Sequence, residues 1–190
     1  MTEQLEEFRD ALASGDPDEV NPVIEELKEM EAEERAELFD DAFEMCLELY
    51  EDGDGYQRQS VVRFARELAP RRRLFDVIDQ AASEAELSDH LVPSDTTQAL
   101  DRLEEFYLTA LDDDDGRVRR AAIKGLKNLT VAYQMTGLGD RIDELLARLD
   151  EMIVEASGKK LEHIQQAQQD VQFSKGPTLK EMISEGLNDE

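Results

Sequence analysis

Four consecutive aspartates, a glycine and five basic side chains share the stretch LDDDDGRVRRAAIKGLKNL, residues 111–129. Oxygen-rich loops of this kind invite a hard cation, which takes several carboxylates from one short segment. The register fails. A calcium loop starting at Asp112 needs glutamate at its twelfth place, where Ile123 stands, and one starting at Asp52 meets Arg63 there. As a helix connection the run makes sense, because Asp114 and Asp115 lie beside the positive end of the following helix and one of them can cap it. Catalysis has less support. His90 and His163 stand apart, and no H-E-x-x-H, G-x-S-x-G or phosphate-cradling glycine loop occurs. With 47 carboxylates in the chain, chance proximity of two acids proves nothing. The single Cys46, in FEMCLEL, reads as a buried small hydrophobe, so no disulfide framework exists. The chain is read as noncatalytic, with no metal and no cofactor.

One feature resists that bland account. Arg58, Arg63, Arg66, Arg71, Arg72 and Arg73 fall between residues 56 and 73 with Glu67 as the one acid; Arg117, Arg119, Arg120, Lys124 and Lys127 fall between 117 and 127 with none. Eleven of 21 positive charges thus occupy 29 of 190 residues, so the cations are segregated. Arg120, Lys124 and Lys127 sit at i, i+4 and i+7, one stripe of a helix, and Arg63 and Arg66 take the same places in the other segment. With Arg117 these are the candidate partner-binding residues. The ordinary alternative is pairing with acids on neighbouring helices, such as Glu44, Glu48 or Glu104.

The elements that must hold these stripes are helical throughout, because apolar residues recur at three and four almost everywhere and strand alternation is absent. Leu5, Phe8 and Leu12 open the chain. A second helix carries Val23, Ile24, Leu27 and Met30, with either Asp16–Pro17 or Asn21–Pro22 as its cap and first residue. A third, about 33–50, turns Leu38, Phe39, Ala42, Phe43, Cys46, Leu49 and Tyr50 inward; a fourth covers about 56–69, a fifth about 72–87, and SDHLVPSDTT is a loop. A sixth spans about 96–111, a seventh follows Gly116 and ends at Gly137 and Gly139, and Asp140 caps an eighth through about 156. Beyond Gly158, LEHIQQAQQDVQF keeps helical spacing but much of it is glutamine, and SKGPTLKEMISEGLNDE can form a short amphipathic helix.

An internal repeat decides the architecture. LELYEDGDGYQRQSVVRFAREL (47–68) lies over LTALDDDDGRVRRAAIKGLKNL (108–129) without a gap, at an offset of 61. Leu47 falls on Leu108, Asp52 on Asp113, Asp54 on Asp115, Gly55 on Gly116, Arg58 on Arg119 and Leu68 on Leu129. Each copy is a helix end, an acidic turn and a second helix. Val118-Arg119, Ala122 and Leu126 carry the V-R-x-x-A-x-x-x-L spacing of a HEAT-repeat second helix, and the chain resembles that armadillo-type family over roughly residues 10–157. The resemblance implies an all-α, right-handed α-α superhelix of stacked hairpins, about eight or nine helices long. It also implies that turn aspartate and second-helix arginine bond, a role falling on Asp113 with Arg119 and on Asp52 with Arg58. The first copy departs at Gln57, which stands in place of valine. Second helices in that family line the concave side, so the cations would form a basic groove in an acidic shell.

Net charge is −26, from 21 Asp and 26 Glu against 14 Arg and 7 Lys. Such an excess makes the compact state repel itself unless salt screens it, and it suits the cytoplasm of a halophilic archaeon. No window has the apolar length of a membrane span, and MTEQLEEF lacks the features of a secretory signal, so a cytoplasmic location is expected. The division expected is 1–157 as a HEAT-like body, 158–173 as a glutamine-rich helical extension and 174–190 as a tail. The function expected is a noncatalytic interaction scaffold or regulatory adaptor that takes an acidic or phosphorylated protein partner on the basic surface. Nucleic-acid binding or processing is the rival, disfavoured by the net charge, by a sequence without Trp and by the few aromatics near the stripe to stack on a base.

Overall fold

The structure is a computed structural model, and residues 2–69 and 94–174 of it are described. They form eight helices and no strand: α1 (Thr2–Ser14), α2 (Pro17–Glu29), α3 (Ala32–Asp52), α4 (Gly55–Leu68), α5 (Ser94–Leu111), α6 (Gly116–Met135), α7 (Asp140–Glu155) and α8 (Gly158–Phe173). The fold is all-α. The expected fifth helix at 72–87, His90, Arg71, Arg72, Arg73 and the tail from 175 lie outside the described residues.

Local chemistry sets the boundaries. Asp16 is the cap of α2 and accepts from the Asp18 N–H at 2.9 Å, so Pro17 is the first helical residue and Pro22 lies inside the helix, where it removes one backbone donor. Asp54 accepts from the N–H groups of Tyr56 and Gln57 at 2.8 and 3.0 Å, while its own N–H donates to Gln57 Oε1 at 2.7 Å, which completes a capping box. Asp115 caps α6 through the Arg117 N–H at 2.7 Å. After α6, Gly137 takes φ of +75°, and Leu138 N–H reaches back to the Tyr133 carbonyl at 2.8 Å, closing the helix in a left-handed turn that glycine adopts without strain. Gly139 stands at the cap of α7 with no side chain to offer, and Asp140, expected as the cap, is the first helical residue. There its charge still favours the positive helix end.

The helices pair into hairpins, and the hairpins stack in two layers. In one layer α2 packs on α4, α4 on α6 and α6 on α8; each is the second helix of its hairpin. In the other, α1 packs on α3, α3 meets α5 through Phe43 and Phe106 (ring centroids 5.7 Å apart), and α5 meets α7 through Arg141 and Arg148. The glutamine-rich segment is thus the second helix of a fourth hairpin, with Ile164, Ala167 and Val171 buried against α6 and α7.

Between the layers the two repeat copies bury equivalent positions: Val61 and Ala122, Phe64 and Gly125, Ala65 and Leu126, Leu68 and Leu129. Volume is exchanged, not lost. Phe64 fills its space from within α4 and meets Phe8 edge-on at 5.2 Å. Gly125 instead admits Tyr107 of α5 so closely that a Cβ added there would lie 2.7 Å from the ring.

Candidate functional site

The acidic turns do structural work. In the run after α5 each aspartate has a different task. Asp112 is exposed and pairs with Lys160 of α8 at 3.0 Å. Asp113 is buried, its side chain 6 % exposed; it accepts from the Tyr50 hydroxyl at 2.7 Å and from the Asp115 N–H at 2.7 Å, and it faces Arg58 Nε at 3.0 Å. Asp114 points its carboxylate into solvent, with Lys160 at 4.0 Å, and offers its backbone carbonyl inward. Asp115 caps α6 and clasps Arg117 at 2.6 Å, and these bonds hold its carboxyl at about 2, well under the usual carboxylate range.

Arg58 and Arg119 therefore act across and within the stack in different ways. Arg58 reaches forward to Asp113 of the next hairpin, while Asp52, its expected partner, lies exposed at the end of α3. The stacking explains it: a Cβ on Gly55 would collide with the Asp115 carboxylate, so the first turn of α4 abuts the following acidic turn. Arg119 meets Asp113 through the backbone. Its Nη1 donates to the carbonyls of Asp113 and Asp114 at 2.6 and 2.9 Å, and its Nε donates to His163 Nδ1 at 2.9 Å. His163 is thus a half-buried acceptor. Burial first, then the charges of Arg119, Arg120 and Lys159, lower its pKa.

The six candidate partner-binding cations divide in two. Arg63 is half-buried and donates to Asn21 Oδ1 of α2 at 2.6 Å; burial, then the neighbouring Arg66, lowers its pKa. Arg66 pairs with the buried Glu67 at 2.8 Å. Arg117 is held by Asp115 and lies 3.7 Å over the ring of Tyr56. By contrast Arg120, Lys124 and Lys127 are exposed, and among the described residues no hydrogen bond or ion pair engages their side chains.

The acids named as their rivals are occupied in the other layer. Arg9 takes Glu48 at 2.6 Å, Arg102 takes Asp40 and Glu44, and Arg148 bridges Glu104 and Glu105. Glu104 is itself buried and accepts from the Tyr133 hydroxyl at 2.6 Å. The five arginines of the odd-numbered helices thus all have partners, amid 23 acids, and the free stripe stands on the second-helix side. At the places of Arg120, Lys124 and Lys127, α8 presents Glu162, Gln166 and Gln169, and α2 presents Asn21, Glu25 and Lys28, the last two paired at 2.6 Å. Positive charge is concentrated on the middle helices, α4 and α6; over its length α8 balances and α2 is net acidic.

Chemistry beyond binding finds little purchase. Among the described residues no group of three or more His, Cys, Asp or Glu is placed to hold a metal ion. Cys46 is fully buried, which pushes its thiol far up and leaves it un-nucleophilic at neutral pH. Two open grooves exist, one lined by Arg9, Glu48, Asp52 and Gln57, the other by Glu105, Asp112, Arg148 and Lys160; their cations are tied to acids already named. Among the described residues no helix is long and apolar enough to cross a membrane.

Sequence reasoning missed Gln57 and His163. Gln57 closes the capping box of α4 and also donates through Nε2 to the Ala13 carbonyl, fastening the first hairpin to the second. The capping-box spacing D-x-x-Q was a readable signal for the first bond; nothing local announces the second.

The family described as the Cdc37 C terminal domain matches residues 3–54. That span runs from α1 to the cap residue of α4, and so covers the first hairpin and α3. No curated protein and no solved structure gives a match.

Proposed function

We propose that this chain is a noncatalytic interaction scaffold or adaptor that takes an acidic or phosphorylated protein segment on the second-helix side, across α4 and α6. One observation carries the reading. Arg120, Lys124 and Lys127 form an exposed cationic row, unpaired among the described residues, in a chain of net charge −26 where the arginines of the odd-numbered helices all have partners. Leaving cations unpaired amid so many acids favours an external anion as their partner. The two-layer stacking and the offset repeat support a HEAT-like superhelix in which this side is the concave one. The likeness of the first helices to the Cdc37 C terminal domain agrees with a protein-binding role. We also take concentrated salt to be the working environment, since screening relieves the self-repulsion of the acidic shell; a melting temperature that fails to rise with KCl would oppose this.

The test compares wild type with Arg120→Glu/Lys124→Glu/Lys127→Glu at one fixed salt concentration, titrating a labelled oligoglutamate peptide, its phosphoserine counterpart and a duplex DNA. Loss of peptide binding in the variant is the expected result. Equal binding by variant and wild type would refute the site. DNA binding with a steep salt slope that flattens in the variant, together with peptides that bind neither protein, would move the assignment to nucleic acid.

A further inference from the structure

The cationic row does not end in more charge. One turn beyond Lys127, on the same stripe of α6, stands Val131, 44 % exposed, and the place equivalent to it on α8 is Phe173, 92 % exposed. Gln134 of α6 donates to the Ser174 carbonyl just past α8, so the two helices are joined at the end where these side chains project. They are two of the five large apolar residues most open to solvent among the described residues. Elsewhere on the second-helix side the outward places are polar, Gln59, Arg63 and Arg66 on α4 and Gln166 and Gln169 on α8, apart from Tyr56 at the start of α4, over whose ring Arg117 lies.

From this juxtaposition of charge and apolar surface, and resting on the proposed function above, we infer that the partner is an acidic peptide segment with a hydrophobic anchor at one end, which Val131 and Phe173 receive while Arg120, Lys124 and Lys127 hold its carboxylates or phosphates. The register supplies its length. Arg120 to Lys127 spans about 10 Å along the helix and Arg120 to Val131 about 16 Å, at a rise of ~1.5 Å per residue. An extended peptide advances ~3.3 Å per residue, so acids and anchor fall within about five or six residues of one another. The apolar end also separates a peptide from a nucleic-acid duplex. A duplex, whose bases are already stacked, gains nothing from valine and a phenyl ring, whereas a peptide gains the burial of an aliphatic or aromatic side chain.

The experiment uses the full chain and labelled peptides: Glu-Glu-Glu-Glu-Ser-Phe, its reversed order, and both with serine in place of phenylalanine. One of the two phenylalanine peptides binds about tenfold more tightly than its serine control, the gain that burying one large apolar side chain brings. Val131→Ser/Phe173→Ser, which adds no charge to the row, abolishes that gain and leaves the affinity for the serine peptides unchanged; both substitutions are at exposed places, and an unaltered helical circular dichroism spectrum verifies the fold. Lys124→Glu/Lys127→Glu lowers the affinity for all four peptides. If phenylalanine and serine peptides bind alike, or if the gain survives in Val131→Ser/Phe173→Ser, the anchor inference is overturned while the cationic site stands. If no peptide binds wild type, the proposed function falls and the inference with it. A concentration-dependent dimer that the Val131→Ser/Phe173→Ser variant abolishes assigns the apolar pair to self-association and overturns the inference as well.

Discussion

Substituting Asp113 by alanine tests whether the acidic turn is a buried junction between hairpins or a patch of surface charge. The carboxylate is 6 % exposed and serves three donors: the Tyr50 hydroxyl at 2.7 Å, the Asp115 N–H at 2.7 Å and Arg58, whose Nε lies 3.0 Å away. Its loss strands a phenol that burial and this same carboxylate together push far above its ordinary pKa. Arg58 is 28 % exposed and recovers part of its solvation, so the penalty falls at or below the lower end of the ~3–5 kcal/mol typical of halving a buried pair. Adding the orphaned hydroxyl and turn N–H, we expect a loss of about 3 kcal/mol. Asp112 and Asp114, with side chains 66 % and 102 % exposed, are the controls. Their alanine variants change stability by about 0.5 kcal/mol or less. Urea unfolding at one fixed salt concentration reads all three, and adding Arg58→Met completes a cycle with a coupling of about 1–3 kcal/mol. An Asp113→Ala variant as stable as Asp114→Ala would refute the inter-hairpin role.

Gly125→Ala gains about 1 kcal/mol of helix propensity but forces Tyr107 aside from a Cβ 2.7 Å away, and overpacking of about 1–3 kcal/mol outweighs the gain. A lowered melting temperature, partly recovered by adding Tyr107→Leu, is expected; a raised one contradicts the packing described. His163 accepts from Arg119 through Nδ1 only while neutral, and its folded pKa is depressed below 6.5. A depressed histidine binds fewer protons in the folded state, so its contribution is full above the unfolded value and is lost as pH falls through the folded one. Urea midpoints measured down from pH 8 should drop across this window in wild type and less in His163→Gln, whose amide oxygen replaces the acceptor; parallel profiles would remove His163 from the account.

Much of this structure is legible in local sequence because helix ends are local events. The offset of 61 between residues 47–68 and 108–129 reported two hairpins of one type, and the aspartates before Gly55 and Gly116 reported their caps. The choice between Asp16 and Asn21 was open on propensity alone, since both precede proline, and the hydrogen bond to Asp18 N–H decides it. What stacking determines was not legible. Arg58 serves the next hairpin's Asp113, although Asp52 is nearer in sequence, and no spacing rule distinguishes the two. Segment 158–173 shows few apolar residues because glutamines dominate its outward places; Ile164, Ala167 and Val171 suffice on the inward side because α6 and α7 already present apolar walls. The stripe itself was readable at i, i+4 and i+7. Which of its members are spoken for was not, because Asn21 and Tyr56, the contacts of Arg63 and Arg117, come from other helices.

The opposition between an acidic side whose arginines are all paired and an open cationic one gives the molecule a polarity at right angles to its layers. Far away an anionic ligand senses the total, −26, and is turned back; close to α6 it senses the row and is drawn in. The two regimes have different reach, and at physiological ionic strength the field of the whole decays over about 8 Å. Added salt therefore removes the distant barrier before it weakens the contact, so capture of such a ligand should quicken with ionic strength before it slows, the reverse of what steering by a uniformly cationic receptor produces.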